Sequence, residues 1–121
     1  MTRPTETTLL VIGNDDRLIY LLQRFAEQGG CQMIQRTFAP WIDEMCRLKP
    51  VAIIFLSMEL LQAAQSLVED LSTHETLVLV CASFGDEIRA RESGADACLF
   101  HPLTYDDFWV ALSTICPPES N

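Results

Sequence analysis

The sequence predicts a doubly wound α/β domain built on a five-stranded parallel sheet, and three observations carry that expectation. Short continuous apolar runs alternate with stretches of helical spacing along the chain. Runs such as Leu9-Leu10-Val11-Ile12 and Leu77-Val78-Leu79-Val80 lack apolar–polar alternation, so they suit strands covered on both faces. At 121 residues the chain has the length of one domain, able to bury about two-thirds of the surface its unfolded form exposes.

The first strand is expected over residues 8–13. A helix over 16–28 follows, with Leu18, Leu22, Phe25 and Ala26 on one stripe and Gly29-Gly30 as its stop. The second strand covers 32–38. Pro40 then opens a second helix, for which Trp41 is the expected hydrophobic anchor, and Pro50 closes the connection. The third strand covers 51–57. Leu60, Ala64, Leu67, Val68 and Leu71 recur at spacings of three and four, which predicts one continuous third helix. The fourth strand covers 77–82, and a short fourth helix over about 85–93 has Ile88 as its main buried candidate. The fifth strand covers 97–100. The last helix starts at Thr104, an N-cap with Asp107 three residues on, and buries Phe108, Leu112 and Ile115.

Right-handed crossovers arrange these strands in the flavodoxin-like order 2-1-3-4-5. The loops after strands 1, 3, 4 and 5 then meet at the carboxyl edge of the sheet, where a site is expected. They carry Gly13-Asn14-Asp15-Asp16, residues 56–59, Cys81-Ala82-Ser83 and Phe100-His101-Pro102. Residues 1–121 form a single domain with a core over about 7–116 and polar tails.

Composition narrows the function. A net charge of -9 repels nucleic-acid phosphates and anionic lipid, which leaves a protein, with a basic surface favoured, as the expected partner. No apolar run approaches the roughly 20 residues of a membrane span, and the first eight residues lack the apolar stretch of a secretion signal. The five cysteines show no CxxC or zinc spacing and sit among apolar neighbours, as reduced thiols in a cytoplasm do.

Three segments carry a family resemblance: 9–19 after the amino tail, Lys49-Pro50-Val51-Ala52-Ile53-Ile54-Phe55-Leu56, and Gly94-Ala95-Asp96-Ala97-Cys98-Leu99-Phe100-His101-Pro102. In this order and spacing the chain resembles the receiver domain of bacterial two-component response regulators over nearly its whole length. Receivers hold Mg²⁺ on an acidic pair after strand 1 and accept phosphoryl on an aspartate ending strand 3. A Ser or Thr after strand 4 and a Lys after strand 5 hold the phosphoryl oxygens.

Matched without gaps, this sequence departs at each of those places. Gly13 and Asn14 stand at the acidic pair, or Asn14 and Asp15 after a slip of one residue. Leu56 stands at the acceptor position, with Ser57 next to it. Cys81 replaces the Ser/Thr, His101 the Lys and Cys98 the aromatic of strand 5. A leucine cannot become an acyl phosphate, and an imidazole with a reference pKa of about 6.5 is a poor substitute for an ammonium. The resemblance so read implies a degenerate receiver: a non-enzymatic module of two-component signalling that acts by protein contact, with no catalytic residue, cofactor or metal.

Several residues carry two readings. Asp15 and Asp16 are either a remnant metal site or the cap and first-turn acids of the first helix. His101 is either a pH-responsive group beside acids or an ordinary loop residue. Cys81 and Cys98 are either a redox pair or inert thiols. Tyr105 and Trp109 are either contact residues on the face of the fourth helix, fifth strand and fifth helix, for a partner or a second copy, or Trp109 packs on Ile88. Two other functions remain open: an atypical receiver that still takes phosphoryl or a metal through Asp15 and its neighbours, and a small-ligand binder in the carboxyl-edge crevice. Against the latter, the first loop offers anions where nucleotide phosphates want free N–H groups.

Overall fold

A computed structural model describes residues 7–100 and 102–112. Five parallel strands, β1 (Thr8–Ile12), β2 (Gln32–Arg36), β3 (Ala52–Phe55), β4 (Leu77–Cys81) and β5 (Ala97–Leu99), lie in the order β2-β1-β3-β4-β5. The register aligns Leu10 with Ile34 and Ile53, and Ile53 in turn with Val78. This is the predicted flavodoxin-like α/β fold.

Successive side chains leave opposite faces of the sheet, so each strand feeds two cores. Leu9, Val11, Ile54, Leu79 and Leu99 pack beneath α1 (Asp16–Gln28) and, in the last helix, Phe108, Ala111 and Leu112. Leu10, Ile12, Ile53, Phe55 and Val80 pack beneath the helices of the other face. Those are α2 (Ile42–Leu48), α3 (Met58–Ala63), α4 (Gln65–Leu71) and α5 (Glu87–Glu92), with a 3₁₀ turn over Phe84–Asp86 leading into α5. The last helix, α6, spans Tyr105–Leu112. Thr104 caps it as predicted, accepting from the Asp107 N–H at 3.1 Å. Ile115 lies outside the described residues.

Three sequence expectations are corrected. The third helix is two helices, broken at Ala64 (φ -112, ψ 29). The Gln65 side-chain amide donates to the Leu61 carbonyl at 3.1 Å and to the Ser93 carbonyl at 2.9 Å, tying the break to the end of α5. Ile88 is 73% exposed. Helix α5 is six residues long and buries Ala90 completely; Ile88, two positions away, must then face outward. Trp41 is 86% exposed rather than an anchor. It precedes α2 with extended backbone (φ -73, ψ 158), which turns it off the line of Met45, the residue α2 buries.

Among the described residues no helix is long and apolar enough to cross a membrane.

Candidate functional site

Gly13 follows β1 with φ 135, a conformation that side chains rarely adopt. Its N–H donates to the Arg36 carbonyl at 2.8 Å, and its own carbonyl accepts from the Gln35 side-chain amide. Across the crevice, the Leu56 N–H donates to the Ile12 carbonyl at 3.0 Å, which fixes where the leucine projects. It projects onto Gly13. A Cβ on Gly13 would stand 2.9 Å from Leu56 Cδ1, 3.0 Å from its Cβ and 3.1 Å from its Cγ. Leu56 is 7% exposed and belongs to the same core as Leu18, Leu103 and Cys81. Gly13 and Leu56 therefore form one packed unit: the leucine takes the room that a side chain at position 13 would need.

Two of the oxygens nearby cap helices. Asp15 caps α1, its Oδ1 accepting from the Arg17 N–H at 3.1 Å and the Leu18 N–H at 3.3 Å. Asp16 adds a negative charge to the first turn, where the helix dipole favours it. Ser57 Oγ accepts from the Leu60 N–H at 3.2 Å and caps α3. Asn14 is exposed. A hard divalent cation wants several converging oxygens. Gly13 and Leu56 offer no side-chain oxygen, and no three His, Cys, Asp or Glu side chains among the described residues are grouped to hold an ion. The donor set does not fit Mg²⁺. His101 lies outside the described residues.

Cys81 sits beneath this edge, in the core, and burial followed by the Asp15 carboxylate and Cys98 pushes its thiol up to about 12. Cys98 pairs in register with Val80, whose side chain belongs to the opposite core, so the two thiols leave opposite faces of the sheet. That removes the redox pair. It also sets a pH dependence. The folded state keeps the Cys81 proton above the unfolded value of 9.0, so its contribution to stability is complete below pH 9 and is lost as pH climbs towards 12. In native protein at pH 8 we expect exposed Cys46 to alkylate well before Cys81, which should react only on unfolding. Rapid labelling of Cys81 in the folded protein would contradict its placement.

Tyr105 and Trp109 are half-buried and turn towards α1, not towards α5. Tyr105 packs edge-on to Phe25 with ring centres 5.7 Å apart, and Trp109 lies against Gly29. The aromatic that sequence reasoning passed over is Phe84, 72% exposed and stacked on Phe100 at 4.3 Å. The two rings come from the loops after β4 and β5, and only the adjacency of those strands would have paired them. Together with Arg91, Cys98 and Val110 they line a groove of about 600 Å³ between α5 and α6.

At the level of sequence, no family model and no curated protein matches the chain. Solved structures do. A response regulator signal receiver domain from Bermanella marisrubri superposes with a TM-score of 0.71 at 16% identity, covering 93% of this chain and 99% of that one. A response regulator receiver domain protein from Clostridium thermocellum gives 0.69 at 17% identity, with 90% and 93% covered. A response regulator from Burkholderia pseudomallei, solved with a phosphorylated aspartic acid, a calcium ion and citrate, gives 0.66 at 22% identity, with 90% and 68% covered. The chain has the fold of response regulator receiver domains.

Proposed function

We propose that this chain is a receiver-like signalling module of a two-component system that passes information by protein contact and is not phosphorylated at the carboxyl edge. The observation that carries the proposal is the contact between Leu56 and Gly13, which puts hydrocarbon where receiver chemistry needs carboxylates. The module is read as cytoplasmic, with its thiols reduced.

The contact face is the one formed by α5, β5 and α6. Phe84 and Ile88 expose large apolar surface there, beside the groove. Asp86–Arg89 and Glu87–Arg91 pairs surround them, at 3.1 and 3.6 Å. Such a ring of charges around apolar anchors suits a protein surface, either a second copy or a partner with basic groups. Tyr105 and Trp109 serve this face indirectly, by seating α6 on α1.

Two measurements test the proposal together. Incubation with acetyl phosphate and Mg²⁺ should leave the intact mass unchanged. Ile88→Asp and Phe84→Ala should leave folding intact and weaken self-association or binding to a co-purified partner by about tenfold or more. An aspartyl phosphate, or binding indifferent to both substitutions, would overturn it.

A further inference from the structure

A second apolar surface lies on the far side of the sheet order, at the loop between β2 and α2. Phe38 is 77% exposed and Trp41 is 86% exposed, three residues apart on one loop. Large aromatic side chains left in water at this density are uncommon and mark contact sites. The loop borders a groove of about 240 Å³. Pro40, Trp41 and Ile42 form one wall; Ala64 and Leu67 form the other. The break between α3 and α4 at Ala64 lies in the lining of this groove. The Gln65 side-chain amide, donating to the Leu61 and Ser93 carbonyls, ties that break to the end of α5.

Charge narrows the occupant. Asp70 is the single charged residue in the lining. Asp43, exposed in the first turn of α2, stands two residues beyond Trp41. No lysine, arginine or histidine lines the groove. A second copy docking face to face would bring the same carboxylates, with no cation in the lining to meet them, and an anionic membrane would be repelled by the net charge of -9. We infer that this groove docks a segment of another protein in which an apolar side chain is flanked by lysine or arginine, the apolar group entering beside Trp41 and Leu67 and the cations meeting Asp43 and Asp70. This surface is separate from the α5–β5–α6 face, so either can fail without the other.

The probe is a synthetic amphipathic helix of leucine and lysine, with the same peptide carrying glutamate for lysine as its control. Backbone amide shifts should move in 38–43 and 63–70 on adding the lysine peptide. Its affinity should fall about tenfold or more in Trp41→Ala and several-fold in Asp70→Asn, and should weaken with salt. Trp41 is exposed, so its replacement should leave the unfolding midpoint unchanged. The inference is overturned by equal binding of the glutamate peptide, by equal binding to Trp41→Ala, by shifts confined to the α5–β5–α6 face, or by no binding at millimolar peptide. It is also overturned if sedimentation shows a dimer that Trp41→Ala dissolves, or if anionic vesicles bind the protein through Trp41.

Discussion

Leu56→Asp is expected to lower stability by about 3 kcal/mol near neutral pH without creating a phosphate acceptor. The leucine is 7% exposed and its side chain fills the space above Gly13, so the substitution removes buried hydrocarbon and leaves a carboxylate in its place. Among the described residues around it, none offers that carboxylate a cation: Gly13 has no side chain, Asp15 is itself an anion engaged in the cap, and Cys81 is a protonated thiol. A carboxyl in such a place titrates above its unfolded value. The penalty is therefore fully present at pH 8, where the group must ionise against burial, and shrinks as pH falls below the folded pKa. Urea unfolding of wild type and variant at pH 8 and pH 5 measures it. A variant that keeps wild-type stability, or gains stability on adding Mg²⁺, would show that the crevice still accommodates receiver chemistry.

Gly29→Ala should cost about 2 kcal/mol although it touches no part of the crevice. Gly29 follows α1 with an ordinary φ of -92, so no backbone strain enters. The cost comes from Trp109: an added Cβ would stand 1.8 Å from its Cζ2 and 2.7 Å from its Cη2. The indole cannot step aside freely, because it is braced edge-on against Phe108 at 5.6 Å and Tyr105 at 6.0 Å. To make room, α6 must shift on α1, and Trp109 emission should change with it. Trp109→Ala alone should be destabilising as well, and the double variant should cost at least about 1 kcal/mol less than the sum of the singles. Gly85→Ala, where an added Cβ meets nothing within 4 Å, is the control and should be nearly neutral. Strict additivity of Gly29→Ala and Trp109→Ala would mean that the two residues do not touch.

The strands were legible because burial on both faces of a parallel sheet leaves a direct mark, an uninterrupted apolar run such as Leu77-Val78-Leu79-Val80. Helix α1 was legible to the residue, since Leu18, Leu22, Phe25 and Ala26 must share one stripe and Gly29 must end it. The break at Ala64 was not. The apolar spacing runs through it undisturbed, and its cause is a side-chain bond from Gln65 to Ser93, 28 residues away in sequence. Ile88 and Trp41 failed for a related reason. Hydrophobicity names a candidate for burial, but helix phase and backbone conformation decide whether it faces the core, and Ala90 and Met45 hold those inward positions.

At the candidate site the division is equally clear. The residue types alone argued against an acceptor, since Leu56, at the position the resemblance assigns to it, has no side-chain oxygen to phosphorylate. They also supplied the parallel sheet, its order and the meeting of four loops at one edge. What only the tertiary structure decided is that Leu56 and Gly13 are partners, that Asp15 and Ser57 are helix caps, and that Cys81 and Cys98 face apart. Each of these depends on which atoms the pleat and the crossovers bring within a few ångströms, and a periodic pattern along one chain carries faces but not neighbours.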